Sequence, residues 1–280
     1  ILSLAITCLC IAANCQISKR DSITGAVNEY VLAVNKAADV FLNRQLPLAA
    51  RLEAMAPYPF IYEARQAELF KRIVLAPEEA PELRAMALNK IYHFVENDER
   101  LLGQATQWLG DPQTPKPLRA ETLKLIGNLS FSSLPGILEV YPKMLEDPEL
   151  EYRAFAASKL LLNGDARTQQ LLIRGLENPG AALFEPAFAI ELLALSPKKE
   201  FYPAAYKILL ESSDEAARLA ALQVLGPYRP AWPTFVAISQ NPNEKEAFRE
   251  SALLALYSGD RDNIVQYVTP LLQERAAPPR

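Results

Sequence analysis

Glu146-Asp147-Pro148-Glu149-Leu150-Glu151-Tyr152-Arg153-Ala154-Phe155-Ala156-Ala157-Ser158-Lys159-Leu160 is the stretch whose reading decides the fold. It opens on an Asx-Pro pair, a turn signal, because Pro cannot continue a helix. From Arg153 the apolar residues fall at +1, +3, +4 and +7. At 100° per residue these positions share one helix face about 160° wide. The stretch therefore predicts a loop followed by an amphipathic helix.

The same pattern recurs along the chain. Equivalent anchors are Arg51, Arg84, Arg119, Arg153, Pro186, Arg218 and Arg249, spaced by 33, 35, 34, 33, 32 and 31 residues. Small Ala or Thr stands at +3 in every copy (Ala54, Ala87, Thr122, Ala156, Ala189, Ala221 and Ala252), which lets helices approach closely. Asp111-Pro112, Asp147-Pro148 and Asn241-Pro242 precede anchors, and Asn178-Pro179 ends the apolar stripe of Gln169 to Leu176. Asn163-Gly164-Asp165 and Ser258-Gly259-Asp260 supply turn signals inside a unit. Each unit thus reads as helix, tight turn, helix, Asx-Pro loop. No stretch sustains period-two alternation, so no sheet is expected. A period of this length marks a repeat array whose units bury a face only by stacking.

These residues resemble the HEAT repeat of the short, phycobilisome-lyase type, over roughly residues 46–275. The resemblance implies an all-α solenoid of about seven helix pairs, wound as a right-handed superhelix, with the arginine-bearing helices on its concave side. It also implies that Arg51, Arg84, Arg119, Arg153, Arg218 and Arg249 form a ladder to acidic residues of adjacent units, broken at Pro186. The tetratricopeptide repeat shares the period, but its Gly and aromatic pattern has no counterpart here. Ile23, Val27, Tyr30, Val31, Val34, Ala38 and Phe41 predict one further amphipathic helix, expected to cap the array within residues 16–45. Residues 276–280, with Pro278-Pro279, are expected to fray.

Composition agrees with a helical array. Half of the 280 residues are hydrophobic and only 10 are Gly, while the 22 Pro cluster between the apolar stretches. The net charge of −4 lacks the basic footprint of a nucleic-acid surface. The three cysteines, Cys8, Cys10 and Cys15, precede residue 16, so the repeats hold no disulfide, Cys-based zinc site or Cys nucleophile.

Ile1 to Ala13 is an uncharged apolar run, too short to span a bilayer and of the length of a secretory-signal core. With no basic segment before it, the signal is read as clipped at its start. Three readings stand side by side. Ala13-Asn14-Cys15 suits cleavage before Gln16. Ile11 to Cys15 also resembles a lipobox with Cys15 lipidated, although Asn14 fits it poorly. A buried first helix is the third. Export predicts a periplasmic protein or a membrane-anchored lipoprotein of a bacterial envelope, touching the membrane only through an anchor at Cys15.

Candidate chemistry is sparse. His93 is the one histidine, and no Gly-x-Ser-x-Gly elbow accompanies it. The metal-dependent hydroxylases built on HEAT repeats use several His-Glu pairs, which one histidine does not match. Glu96, Asp98 and Glu99 read as acid at a helix start, where the helix dipole favours it. No Gly-rich phosphate loop is present. The chain is accordingly expected to be no enzyme, with no catalytic residue, cofactor or metal.

The surface positions are more informative. The +2 residues should point away from the buried stripe. They read Glu53, Met86, Glu121, Phe155, Phe188, Ala220 and Ser251. Phe155 and Phe188 hold equivalent places in consecutive units, where either they form an apolar contact patch on the concave wall or wide helix packing covers them. Residues at +5 and +6, among them Lys124, Ser158, Lys159, Glu191 and Gln223, would form a polar rim. The expected site for a protein or peptide partner is therefore Met86, Glu121, Lys124, Phe155, Lys159, Phe188 and Glu191. The expected function is an envelope scaffold or adaptor. The alternative is the accessory repeat region of a larger exported enzyme.

Overall fold

The computed structural model describes residues 19–58, 61, 63–129, 136–259, 261–267 and 269. The expected signal, Cys15 and the tail at 276–280 lie outside the described residues. The chain is an all-α array of paired helices, an α-solenoid, and among the described residues there is no strand. None of the described helices is long and apolar enough to cross a membrane. Contacts divide the chain into two compact units, Ile1–Ile137 and Leu138–Arg280.

The first unit holds α1 (Lys19–Phe41), α2 (Leu48–Met55), α3 (Ala64–Leu75), α4 (Pro81–Lys90), the short α5 (Tyr92–Val95), α6 (Glu99–Gly110) and α7 (Lys116–Asn128). Here α1 packs on α2, α3 on α4 and α6 on α7, while α2, α4 and α7 stack in succession. The second unit runs from α8 (Ile137–Met144, whose first residue closes the first unit) through α9 (Leu150–Leu162), α10 (Ala166–Glu177), α11 (Pro186–Ala194), α12 (Tyr202–Glu211), α13 (Glu215–Val224) and α14 (Trp232–Gln240) to α15 (Glu246–Gly259). Within it α10 packs on α11, α12 on α13 and α14 on α15, and α9, α11, α13 and α15 form the stack.

Every anchor lies in the first turn of a helix of that stack. Arg51, Arg84, Arg119, Arg153, Arg218 and Arg249 are each the fourth residue of their helix, whereas Pro186 is the first of α11. A proline is tolerated there because that position has no intrahelical N–H bond to lose. The +3, +4 and +7 positions are buried almost throughout, as at Ala87, Leu88 and Ile91 or Ala221, Leu222 and Leu225. The +1 position is mostly half-buried. The residue before the anchor completes the stripe instead: Leu83, Leu118, Tyr152, Ala217 and Phe248 are buried, four residues from the small +3 residue and so on its face.

Loop chemistry matches the turn signals. Asp111, Asp147 and Asn241 each accept the N–H two residues on, at 2.9, 3.0 and 3.0 Å, the Asx turn expected before proline. Gly164 has φ +72°, and the Asp165 N–H reaches the Leu160 carbonyl at 3.0 Å, so α9 ends in a Schellman motif. Asp165 then caps α10 through the Thr168 N–H at 2.7 Å. Gly259 is not a turn residue but the end of α15. A Cβ there would collide with the Gly226 carbonyl, so this approach of two backbones requires glycine.

The candidate partner-binding face

The anchor arginines have one recurring partner, a main-chain carbonyl. The Nε of Arg51, Arg84, Arg119 and Arg249 donates to the carbonyl ten residues back: Phe41 at 2.8 Å, Val74 at 3.0 Å, Leu109 at 3.0 Å and Ser239 at 3.4 Å. Arg218 reaches Leu209 at 3.3 Å, nine residues back. Each acceptor lies in the last turn of the preceding helix, where carbonyls lack intrahelical partners and the dipole is negative. The guanidinium therefore clamps one helix end to the first turn of the next.

Carboxylates of the following repeat are added in places. Arg51 pairs with the buried Glu79 at 2.7 Å, and Arg218 with Glu244 at 3.5 Å. Both acids stand five residues before the next anchor. At the equivalent place before Arg119 stands Thr114, and Arg84 lies over the Trp108 ring instead, 5.0 Å from its centroid. Burial lowers the pKa of Arg84. Arg153 departs from the pattern and donates to the Asp147 and Pro148 carbonyls of its own loop. At Pro186 the guanidinium is missing, and buried Phe184 meets Phe188 edge-on, ring centroids 5.5 Å apart. Because Arg51 clamps Phe41 as the later anchors clamp theirs, α1 is bonded as the first member of a repeated pair.

The remaining polar candidates have local roles. Asp98 caps α6 through the Leu101 N–H at 2.9 Å and forms an ion pair with Lys71. Burial pushes the Asp98 carboxyl up, but Lys71 and the Leu101 N–H outweigh it and hold the group below its ordinary value. Glu96 and Glu99 are exposed. His93 is exposed beside Tyr92, ring centroids 3.7 Å apart. Among the described residues no group of three or more His, Cys, Asp or Glu is placed to hold a metal ion.

The expected partner site divides between the two compact units. In the first, Met86 is half-buried, and Glu121 accepts from Asn89 at 2.6 Å and from the exposed Lys124 at 3.2 Å. The second holds Phe155 and Lys159 on α9 with Phe188 and Glu191 on α11, two helices in contact. Both phenylalanines are half-buried, each against its own aromatic partner. Phe155 meets Tyr141 edge-on at 5.8 Å, and Phe188 meets Phe184. Tyr141 is fully buried, its hydroxyl has no hydrogen-bond partner among the described residues, and burial pushes its pKa up to about 12. The Lys159 ammonium lies over the Phe155 ring, 5.3 Å from its centroid. Glu191 is exposed.

Two members of this face were missed by the sequence reading. Leu162 and Leu195 lie seven residues beyond Phe155 and Phe188, hence on the same helical stripe, and are 51% and 40% exposed. Their signal was present in the repeat: no other unit carries large apolar residues at both +2 and +9. A second apolar feature sits on α15. It is an open hollow of about 410 Å³ lined by Glu250, Leu253, Leu254, Tyr257 and Ile264.

No family model matches the chain, and no curated protein matches it in sequence. Among solved structures it is similar to human deoxyhypusine hydroxylase in complex with glycerol. The two are 18% identical over 91% of this chain and 94% of that one, with a TM-score of 0.33. The expectation that the chain is no enzyme is corrected by this finding. The similar chain is itself an enzyme. At this similarity neither that protein's activity nor its residues carry over.

Proposed function

We propose that the chain binds a segment of a protein partner on the face that α9 and α11 share, with Phe155, Leu162, Phe188 and Leu195 as its apolar contacts. One observation carries this reading: large apolar residues occupy both outer-stripe positions in two consecutive repeats and in no others. Contiguous exposed apolar surface is costly to a soluble chain and usually marks a contact site. Half-buried aromatics held by neighbouring rings are suited to be anchors, since little side-chain freedom is left to lose on binding.

The same reading takes the repeats as the short HEAT-like type and the site of action as a bacterial envelope. The Arg-Ala anchors support the first and the apolar run Ile1 to Ala13 the second. The test is capture of the partner by F155S/F188S, after circular dichroism has confirmed an unchanged fold. Loss of recovery is expected. Recovery equal to that of the wild type contradicts the site.

A further inference from the structure

The charges around the apolar face indicate what its occupant carries. Glu151 stands four residues before Phe155, and Glu185 and Glu191 stand three residues to either side of Phe188. All three are exposed, and none has an ion-pair partner among the described residues. Helical spacing of three or four residues puts Glu151 and Glu191 on the side of their helix that presents the phenylalanine.

Three of the neighbouring cations are engaged elsewhere. Lys159 covers the Phe155 ring. The Lys199 ammonium donates to the Ala194 and Ser196 carbonyls at 2.9 and 2.7 Å, closing the end of α11. Arg153 holds its own loop. Lys198 and Arg167 are exposed just beyond Leu195 and Leu162, so among the described residues near the four apolar side chains in sequence three exposed carboxylates outnumber these two exposed cations.

We infer that the occupant is a peptide segment with an apolar core flanked by arginine or lysine. Resting on the binding reading above, this names the partner's chemistry. Apolar contact supplies the affinity, and the acidic rim selects against acidic segments, since like charge is penalised at an interface. A rim of exposed charges acts modestly and is screened by salt.

The experiment titrates the full chain with three short labelled peptides that share one Leu-Phe core, flanked by Arg, Gln or Glu pairs, and reads fluorescence anisotropy at low and high salt. The Arg-flanked peptide is expected to bind about tenfold more tightly than the Glu-flanked one at low salt, a gap that salt narrows. In E151Q/E185Q/E191Q, whose changes are all at exposed positions, the gap is expected to shrink to about twofold or less. Equal binding of the three peptides by the wild type, or tighter binding of the Glu-flanked one, overturns the charge preference and leaves the apolar face standing. Undiminished binding of all three by F155S/F188S overturns the face itself. Binding of none overturns both.

Discussion

The two sides of the stacked helices follow opposite rules. The inner side repeats itself. An apolar residue before the anchor, a small one at +3 and apolar ones at +4 and +7 recur in most repeats, with the exposed Glu185 before Pro186 as the exception, and most are buried in both compact units. The outer side repeats nothing. Its +2 and +9 positions run from Glu53 through Met86 and His93 to Phe155 and Leu162, and end on Ser251 and Ser258. Stacking imposes the same demand on every repeat, so the inner side is held to one solution. The +2 and +9 positions, half-buried or exposed at every described residue but the buried Ala220, share no such demand, and two adjacent repeats depart there toward apolar residues. The contact proposed above would supply a cause.

Substitutions on the inner side should have the largest effect. Leu193 is fully buried at +7 of α11. L193A should cost about 3 kcal/mol, the transfer term plus a cavity between stacked helices, measured by urea unfolding. A loss below about 1 kcal/mol would mean that the stack repacks freely, a possibility that close-packed interiors rarely allow.

The clamp comes next. Arg119 is 3% exposed and grips the Leu109 carbonyl with both Nε and Nη2, at 3.0 and 2.9 Å. R119K keeps the charge but loses the planar fork, and should cost about 2 kcal/mol. Stability within about 0.5 kcal/mol of the wild type would show that charge alone suffices there.

Asp98 sharpens the contrast through pH. Its folded pKa lies below the ordinary value, so its contribution is complete above the unfolded pKa and is lost as pH falls through the folded one. D98N keeps a capping oxygen while removing the charge, and should cost about 0.5–1 kcal/mol at neutral pH. The two proteins should converge in acid, below the ordinary carboxylate pKa of about 4. A difference that persists unchanged there would assign the effect to packing rather than charge.

Much of the inner side was legible in the sequence because its determinants are local. The anchor spacing located seven helices, the Asx-Pro pairs located the loops before four of them, and Asn163-Gly164-Asp165 located a Schellman turn. The arginine's partner was not legible. A main-chain carbonyl ten residues back has no side-chain signature, so the sequence suggested carboxylates, which the structure adds at Arg51 and Arg218. Phe155 and Phe188 were visible as consecutive +2 residues. Leu162 and Leu195 stand at +9, beyond the +7 residue that closes the buried stripe, so the repeat signature does not include them. The separate ring partners of the two phenylalanines depend on Tyr141 and Phe184, which lie on other segments of the chain.

The outer side should have the smallest effect on stability and the largest on binding. Leu162 and Leu195 are exposed, so L162S/L195S should leave the unfolding midpoint within about 0.5 kcal/mol of the wild type. Binding by this double variant, measured by anisotropy with the Arg-flanked peptide, is the most direct test of the partner-binding face. Affinity should fall by about tenfold or more while stability holds. Affinity equal to that of the wild type in a variant of unchanged stability would contradict the assignment of this stripe to a partner.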